Sequence, residues 1–189
     1  MFETDAQFHN LYPPSIRQLA VRHWTPLHVT QRVVQYLTPT GNDNVLDIGS
    51  GVGKFCLAAA HSAPSAFFFG IEQRNDLVKH AETACEALGL SNIRFIHGNF
   101  TQLDFKLFDH FYFYNSFYEN LIDTDKIDDR IDYSVELYNY YNRQLYNKLR
   151  EMPSRTRIVT FHSMEDEIPP EYRLVETQMD GLLKFWIKN

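Results

Sequence analysis

Val45-Leu46-Asp47-Ile48-Gly49-Ser50-Gly51-Val52-Gly53 is the stretch whose reading decides the fold. A short apolar strand delivers Asp47 into a glycine-rich turn, and an alanine-rich helix from Lys54 to Ser62 follows. Open α/β sheets bind ligands where a strand ends in such a turn. Downstream the pattern repeats. Ala66 to Ile71 (AFFFGI) is a continuous apolar run, as expected of a strand buried on both faces. Asn75 to Leu88 places Leu77, Ala81, Ala84, Cys85 and Leu88 at helical spacing, with Asn75 or Asp76 as its cap and Gly89-Leu90 as a Schellman stop. Ile93–Ile96 and His110–Tyr114 read as further strands. A long helix is expected from Ile131 to Glu151, with Ile131, Val135, Tyr138, Leu145 and Leu149 on its inner stripe and Pro153 closing it. Strands at Arg157–Phe161, Tyr172–Val175 and Leu182–Ile187 finish the chain, the last two joined through Met179-Asp180-Gly181 as an antiparallel hairpin.

This order predicts an α/β fold: a doubly wound, mostly parallel sheet of seven strands, helices on both faces and a C-terminal antiparallel hairpin. Residues 1–43 carry no strand pattern and are expected to form a helical cap over one edge of the core at 44–189, the whole 1–189 making one domain. The 189 residues are 44% hydrophobic and 22% charged, which suits a globular chain and excludes disorder and collagen. A domain of this size supports its own core. The composition is rich in aromatics, with 15 Phe, 11 Tyr and 2 Trp. Net charge is -6, which repels polyanions at long range and argues against non-specific nucleic-acid binding. Cys56 and Cys85 stand apart with no CxxC and no His cluster, so neither a disulfide framework nor a zinc site is signalled. The acidic start and the lack of a long apolar run predict no signal peptide, no membrane span and a cytoplasmic location.

The glycine turn fits neither common nucleotide motif. The position of the third glycine in the NAD fingerprint is Lys54, and a phosphate loop fails at Ile48 and Phe55. Glu72 at the end of the next strand strengthens the turn as a ligand site, since an acidic residue about 20 residues on accepts ribose hydroxyls. The bland alternatives are a plain chain turn, a helix cap at Asp47 and a strand-end carboxylate at Glu72. Cys56 reads as a small core residue.

Together these residues resemble the class I S-adenosylmethionine-dependent methyltransferases, over roughly 44–189. The resemblance implies that Asp47, Gly49, Ser50, Gly51 and Gly53 accommodate the cofactor's methionine part and that Glu72 holds its ribose. Asn99, standing where the family has Asp, and Phe100 would then flank the adenine. It also implies that residues after the fourth strand face the methyl group. Asn115-Ser116-Phe117-Tyr118 resembles the N-P-P-Y motif of amino methyltransferases, with both prolines replaced. Asn115 and Tyr118 are therefore the catalytic candidates, Asn115 also facing the cofactor, and the implied acceptor is a nitrogen of a protein side chain, a small molecule or a nucleobase. The run around Phe111–Phe117 is also faintly similar to the non-SET histone lysine methyltransferases. Trp24-Thr25-Pro26 resembles a segment whose Thr contacts the cofactor carboxylate; the alternative is Thr25 as a helix cap with Pro26 as the first helical residue.

The acids Glu119, Asp123, Asp125, Asp128, Asp129 and Asp132 predict a solvated loop, a favourable helix start, or a rim for cationic acceptors. No calcium-loop glycine accompanies them, and no metal site is expected. His162-Ser163 follows the fifth strand and could reach the site mouth. Two rival functions remain open at this level: an interaction module that kept the fold without catalysis, and an NAD-dependent oxidoreductase. Acceptor identity and oligomeric state are not readable.

Overall fold

The computed structural model describes residues 2, 4–121 and 126–189. Its strands are β1 (Asn44–Ile48), β2 (Phe67–Glu72), β3 (Ile93–His97), β4 (His110–Tyr114), β5 (Arg157–Phe161), β6 (Tyr172–Gln178) and β7 (Leu183–Lys188). They form one seven-stranded sheet in the order β3-β2-β1-β4-β5-β7-β6. β1 to β5 are mutually parallel, and β7 runs antiparallel between β5 and β6. The strand order reverses between β1 and β4, so their carboxyl ends open onto a crevice at the switch point. The chain turns from β6 to β7 through Met179, Asp180 and Gly181, all at positive φ, as the reading of a hairpin requires.

The period of two along each strand divides the core. Val45, Phe68, Tyr112, Val159 and Phe185 face α4 (Leu27–Leu37) and α5 (Lys54–Ser62). Leu46, Ile48, Phe111, Phe113 and Ile158 face α7 (Val135–Arg150) and the short 3-10 turns at Phe100–Gln102 and Phe105–Leu107. Most of the aromatic excess is spent here: Phe105 stacks on Phe111 at 4.7 Å and Phe100 on Phe117 at 5.1 Å. α6 (Asn75–Leu88) ends at Gly89 with the expected Schellman bonds.

Several expectations need correction. The long helix begins at Val135, because Ser134 caps it by accepting from the Leu137 amide; Ile131 lies before it, and Val135 is exposed while Tyr141 is buried. Neither Asn75 nor Asp76 caps α6, whose N-cap position is Arg74. Thr25 does not cap α4 either: Pro26 holds the N-cap position, and the Leu27 amide is taken by Asp5 from α1 (Asp5–His9) at 3.1 Å. The first 43 residues are helical as expected, with α2 (Pro14–Arg17) and α3 (Ala20–His23) completing them. They do not lie along a sheet edge. α4 covers one face, and Phe8, Tyr12, Ile16 and Trp24 pack on Val52, Leu57 and Leu77 above the glycine turn. Among the described residues no helix is long and apolar enough to cross a membrane, and no group of three His, Cys, Asp or Glu is placed to hold a metal.

Candidate active site at the carboxyl end of the sheet

The glycine turn is held from both sides. The amides of Gly49 and Ser50 donate to the Ile71 carbonyl at 2.9 and 3.0 Å, and the Tyr12 hydroxyl donates to the Val52 carbonyl at 2.9 Å. Two glycines are needed for different reasons. At Gly53 (φ +79°) a Cβ would stand 2.4 Å from the Phe95 ring, so the side chain is excluded by packing as well as by backbone conformation. At Gly51 (φ +54°) nothing lies within 4 Å of that position, so the main chain presents an open flank.

That flank borders a cavity of about 500 Å³. Gly49 and Gly51 lie on one side of it and Glu72 and Arg74 on another. Tyr114, Asn115, Ser116 and Tyr118 line it from the end of β4, and His162 from the end of β5. Leu19, His23 and Trp24 close it from the N-terminal helices. A cavity of this size is in the range of small-molecule sites, and its lining mixes charged and polar groups at Glu72, Arg74, Asn115 and Glu119 with the rings of Trp24, Tyr114 and Tyr118.

Charge in the site is arranged by burial. Glu72 accepts from the Gly51 amide at 3.2 Å and the Arg74 amide at 2.9 Å. Burial pushes its carboxyl above the ordinary range, and those hydrogen bonds oppose the shift. Arg74 lies 3.5 Å from Glu72 and 3.2 Å from Asp128, and also binds Glu119 and the Tyr133 hydroxyl. Burial disfavours its charge, but Glu119 and Glu72 outweigh that and hold the guanidinium charged. Asp47 lies at an adjoining cavity of about 30 Å³, beside Ser50, Lys54 and Tyr112, which shares Trp24, Gly49, Val52 and Tyr114 with the large one. Burial pushes its carboxyl up to about 8, against the pull of the Cys56 thiol 3.5 Å away. Cys56 itself is fully buried and its thiol is raised, which keeps it protonated. Lys54, where the NAD fingerprint wants glycine, is buried in an ion pair with Asp5.

The structure therefore brings Gly49, Gly51, Glu72, Asn115 and Tyr118 to one cavity. Asn115 holds a left-handed backbone (φ 43°) and is half-buried; its carboxamide makes no hydrogen bond within the described residues, while Tyr118 is 42% exposed. Ser116, in place of a proline, donates to the Ile48 carbonyl and ties the loop to β1; Phe117 enters the core. Other residues are placed differently. Thr25 is buried and shares a hydrogen bond of 2.8 Å with the Tyr112 hydroxyl, bordering only the 30 Å³ cavity. The Asn99 oxygen accepts from the Thr101 amide, and its NH2 donates to Gln73 and to the Tyr141 hydroxyl, while Phe100 lines a cavity behind Glu72. The acidic loop is not merely solvated, since Glu119 and Asp128 turn inward to Arg74; Asp123 and Asp125 lie outside the described residues. Sequence reasoning missed Arg74, His23 and Leu19. The only signals for them were the position of Arg74 two residues after Glu72 and the nearness of His23 to Trp24-Thr25-Pro26.

Comparison with known proteins bears on the family and the fold. Residues 39–145 match the family model described as a methyltransferase domain. The tRNA (guanine-N(7)-)-methyltransferase of Microcystis aeruginosa is 37% identical over 91 residues, covering 48% of this chain and 35% of that protein. The chain thus spans about a third of the length of the curated relatives it matches. Among solved structures, TrmN from Thermus thermophilus superposes with a TM-score of 0.63 at 17% identity, covering 92% of this chain and 52% of that one. An RNA methyltransferase from Salinibacter ruber, in complex with S-adenosyl-L-homocysteine, gives 0.56 at 23% identity, covering 86% and 90%.

Proposed function

Since the chain belongs to the S-adenosylmethionine-dependent methyltransferases of Rossmann-like fold, we propose that it methylates a nitrogen of a nucleobase in RNA, using the 500 Å³ cavity. The observation that carries the reading is the shared cavity: the Asn115 carboxamide, without a hydrogen bond among the described residues, lines the same cavity as the open flank of Gly51 and the Glu72 carboxylate. Those residues fit the cofactor. Gly51 lets the main chain approach it closely, and Glu72 offers an acceptor to vicinal ribose hydroxyls. When bound, S-adenosylmethionine supplies an electrophilic methyl group on a good leaving group.

The protein's own task is alignment. The Asn115 oxygen accepts from an N–H of the acceptor, or its NH2 donates to a neighbouring oxygen, and either bond fixes the nitrogen lone pair toward the methyl. The Tyr118 ring offers a face for a planar base. Trp24 and Leu19 cover the opposite side and limit water, which makes residues 1–43 part of the same working unit as 44–189. Burial lowers the pKa of the His162 ring, which disfavours a second cation beside Arg74 on the cavity wall.

A nucleobase is favoured over a protein or small-molecule acceptor by the relatives whose names specify tRNA guanine N7. These names stand against the argument that an acidic chain avoids nucleic acid. Net charge -6 argues only against strong phosphate-driven affinity, and base contacts in the cavity do not depend on it. The test is to offer labelled S-adenosylmethionine with separated RNA, DNA, protein and small-molecule fractions. Label should enter RNA and be released by ribonuclease. Label confined to protein or small molecules would overturn the acceptor assignment.

A further inference from the structure

Behind Glu72 lies a second cavity of about 40 Å³, which shares Gly49, Glu72, Arg74, Ser116 and Glu119 with the large one. Its other walls mix the apolar Ile71, Phe100, Phe117 and Ile131 with the polar Gln73 and Tyr133. Asn120 also lines it and is only 7% exposed. The Asn120 NH2 donates to the Phe117 carbonyl at 3.0 Å, while its Oδ1 is buried with no hydrogen-bond partner among the described residues. The reverse orientation would set two carbonyl oxygens against each other, so Phe117 fixes which way the amide points.

A buried acceptor without a donor is rare and destabilising, so it calls for a donor that arrives from elsewhere. Asn99 is the more fully engaged of the two amides, its oxygen accepting from Thr101 and its NH2 donating to Gln73 and Tyr141, whereas Asn120 Oδ1 accepts from none of the described residues. The cavity holds roughly the volume of one water, about 30 Å³ in the liquid, which is also the scale of one amino group. It opens beside Glu72, where the ribose would be held.

We propose that Asn120 Oδ1 accepts a hydrogen bond from the exocyclic amine of the cofactor's adenine, and that Asn99 instead only caps the turn at Phe100–Gln102. The assignment rests on the cofactor seat described under Proposed function. Phe100 and Phe117 exclude water from the amine, and Asn120 makes the subsite selective for an amino over an oxo purine.

Calorimetry with S-adenosylhomocysteine and with S-inosylhomocysteine, whose purine carries oxygen in place of the amine, tests this. The native chain should prefer the amine by about tenfold or more, because a site built to accept a hydrogen bond rejects the analogue lacking it. Asn120→Ala should bring the two affinities together, whereas Asn99→Ala should keep the preference. Asn120→Leu fills a similar volume without an acceptor and gives the same reading if the Ala variant fails to fold. If both Asn120 variants keep the native preference, or if Asn99→Ala abolishes it, the assignment is overturned while the cofactor seat stands. If the native chain binds neither compound, the seat and the assignment fall together.

Discussion

Glu72 carries two demands at once: it braces the glycine turn through the Gly51 amide and leaves a carboxylate at the cavity for a ligand. Glu72→Gln keeps the shape and removes the charge, so S-adenosylhomocysteine affinity should fall about tenfold or more, the cost of charge-assisted hydrogen bonds. Calorimetry on the variant reads this directly. Unchanged affinity would put the ribose elsewhere. Gly53→Ala should destabilise the fold by about 2 kcal/mol or more, since a Cβ would meet the Phe95 ring in a left-handed backbone; urea denaturation measures it. Both residues were legible in the sequence because their demands are local: a turn that needs positive φ and an acid at a fixed distance from it. Asn99 was placed after β3 by the same logic, but the partners of its NH2 were not legible, because Gln73 and Tyr141 come from other segments.

Among the elements, the connection from β4 to α7 is the part that periodicity could not describe. It has no helical or strand repeat, and its place is set by one buried cation. Arg74 gathers Glu72, Glu119, Asp128 and Tyr133, and so links the side of the cavity at β2 to the loop that carries Asn115 and Tyr118. Arg74→Ala would strand Glu72 and Glu119 as uncompensated carboxylates. The expected outcome is a loss of about 3 kcal/mol in urea unfolding and new protease cleavage between β4 and α7. A variant as stable and as resistant as the native chain would remove Arg74 from this role. The helix start was misplaced for a related reason: Ile131 continues an apolar spacing, but Ser134 supplies the cap and wins. Strands and their order were readable because parallel strands buried on both faces are written as short continuous apolar runs.

At the scale of the whole molecule, the buried Asp47 gives stability a pH dependence. Its carboxyl sits near 8 in the fold and near 4 in the unfolded chain, so the folded state holds the proton more tightly. The contribution is fully present below about pH 4 and is lost as pH rises toward about 8. The native chain should therefore lose up to a few kcal/mol between pH 5 and pH 8 in urea titrations, and Asp47→Asn should narrow that gap. An equal gap in both would show that Asp47 keeps its charge in the fold. Raised Glu72 acts with the same sign, so the variant should reduce the dependence without abolishing it. The net charge and the aromatic content were visible from composition, but their placement was not. The aromatics went mainly into the core, and acids that had read as a solvated loop became partners of Arg74.

The central claim is that one cavity holds the cofactor and delivers the methyl group beside Asn115. Asn115→Gly tests it best, because glycine keeps the left-handed backbone that alanine would strain and removes only the carboxamide. The measurement pairs calorimetry of S-adenosylhomocysteine with transfer of labelled methyl to the RNA fraction. The account predicts affinity within about twofold of the native chain and turnover lower by about a hundredfold or more, the scale of losing one aligned polar group. Turnover at the native rate, or a loss of cofactor affinity that accounts for the whole decline, would contradict it.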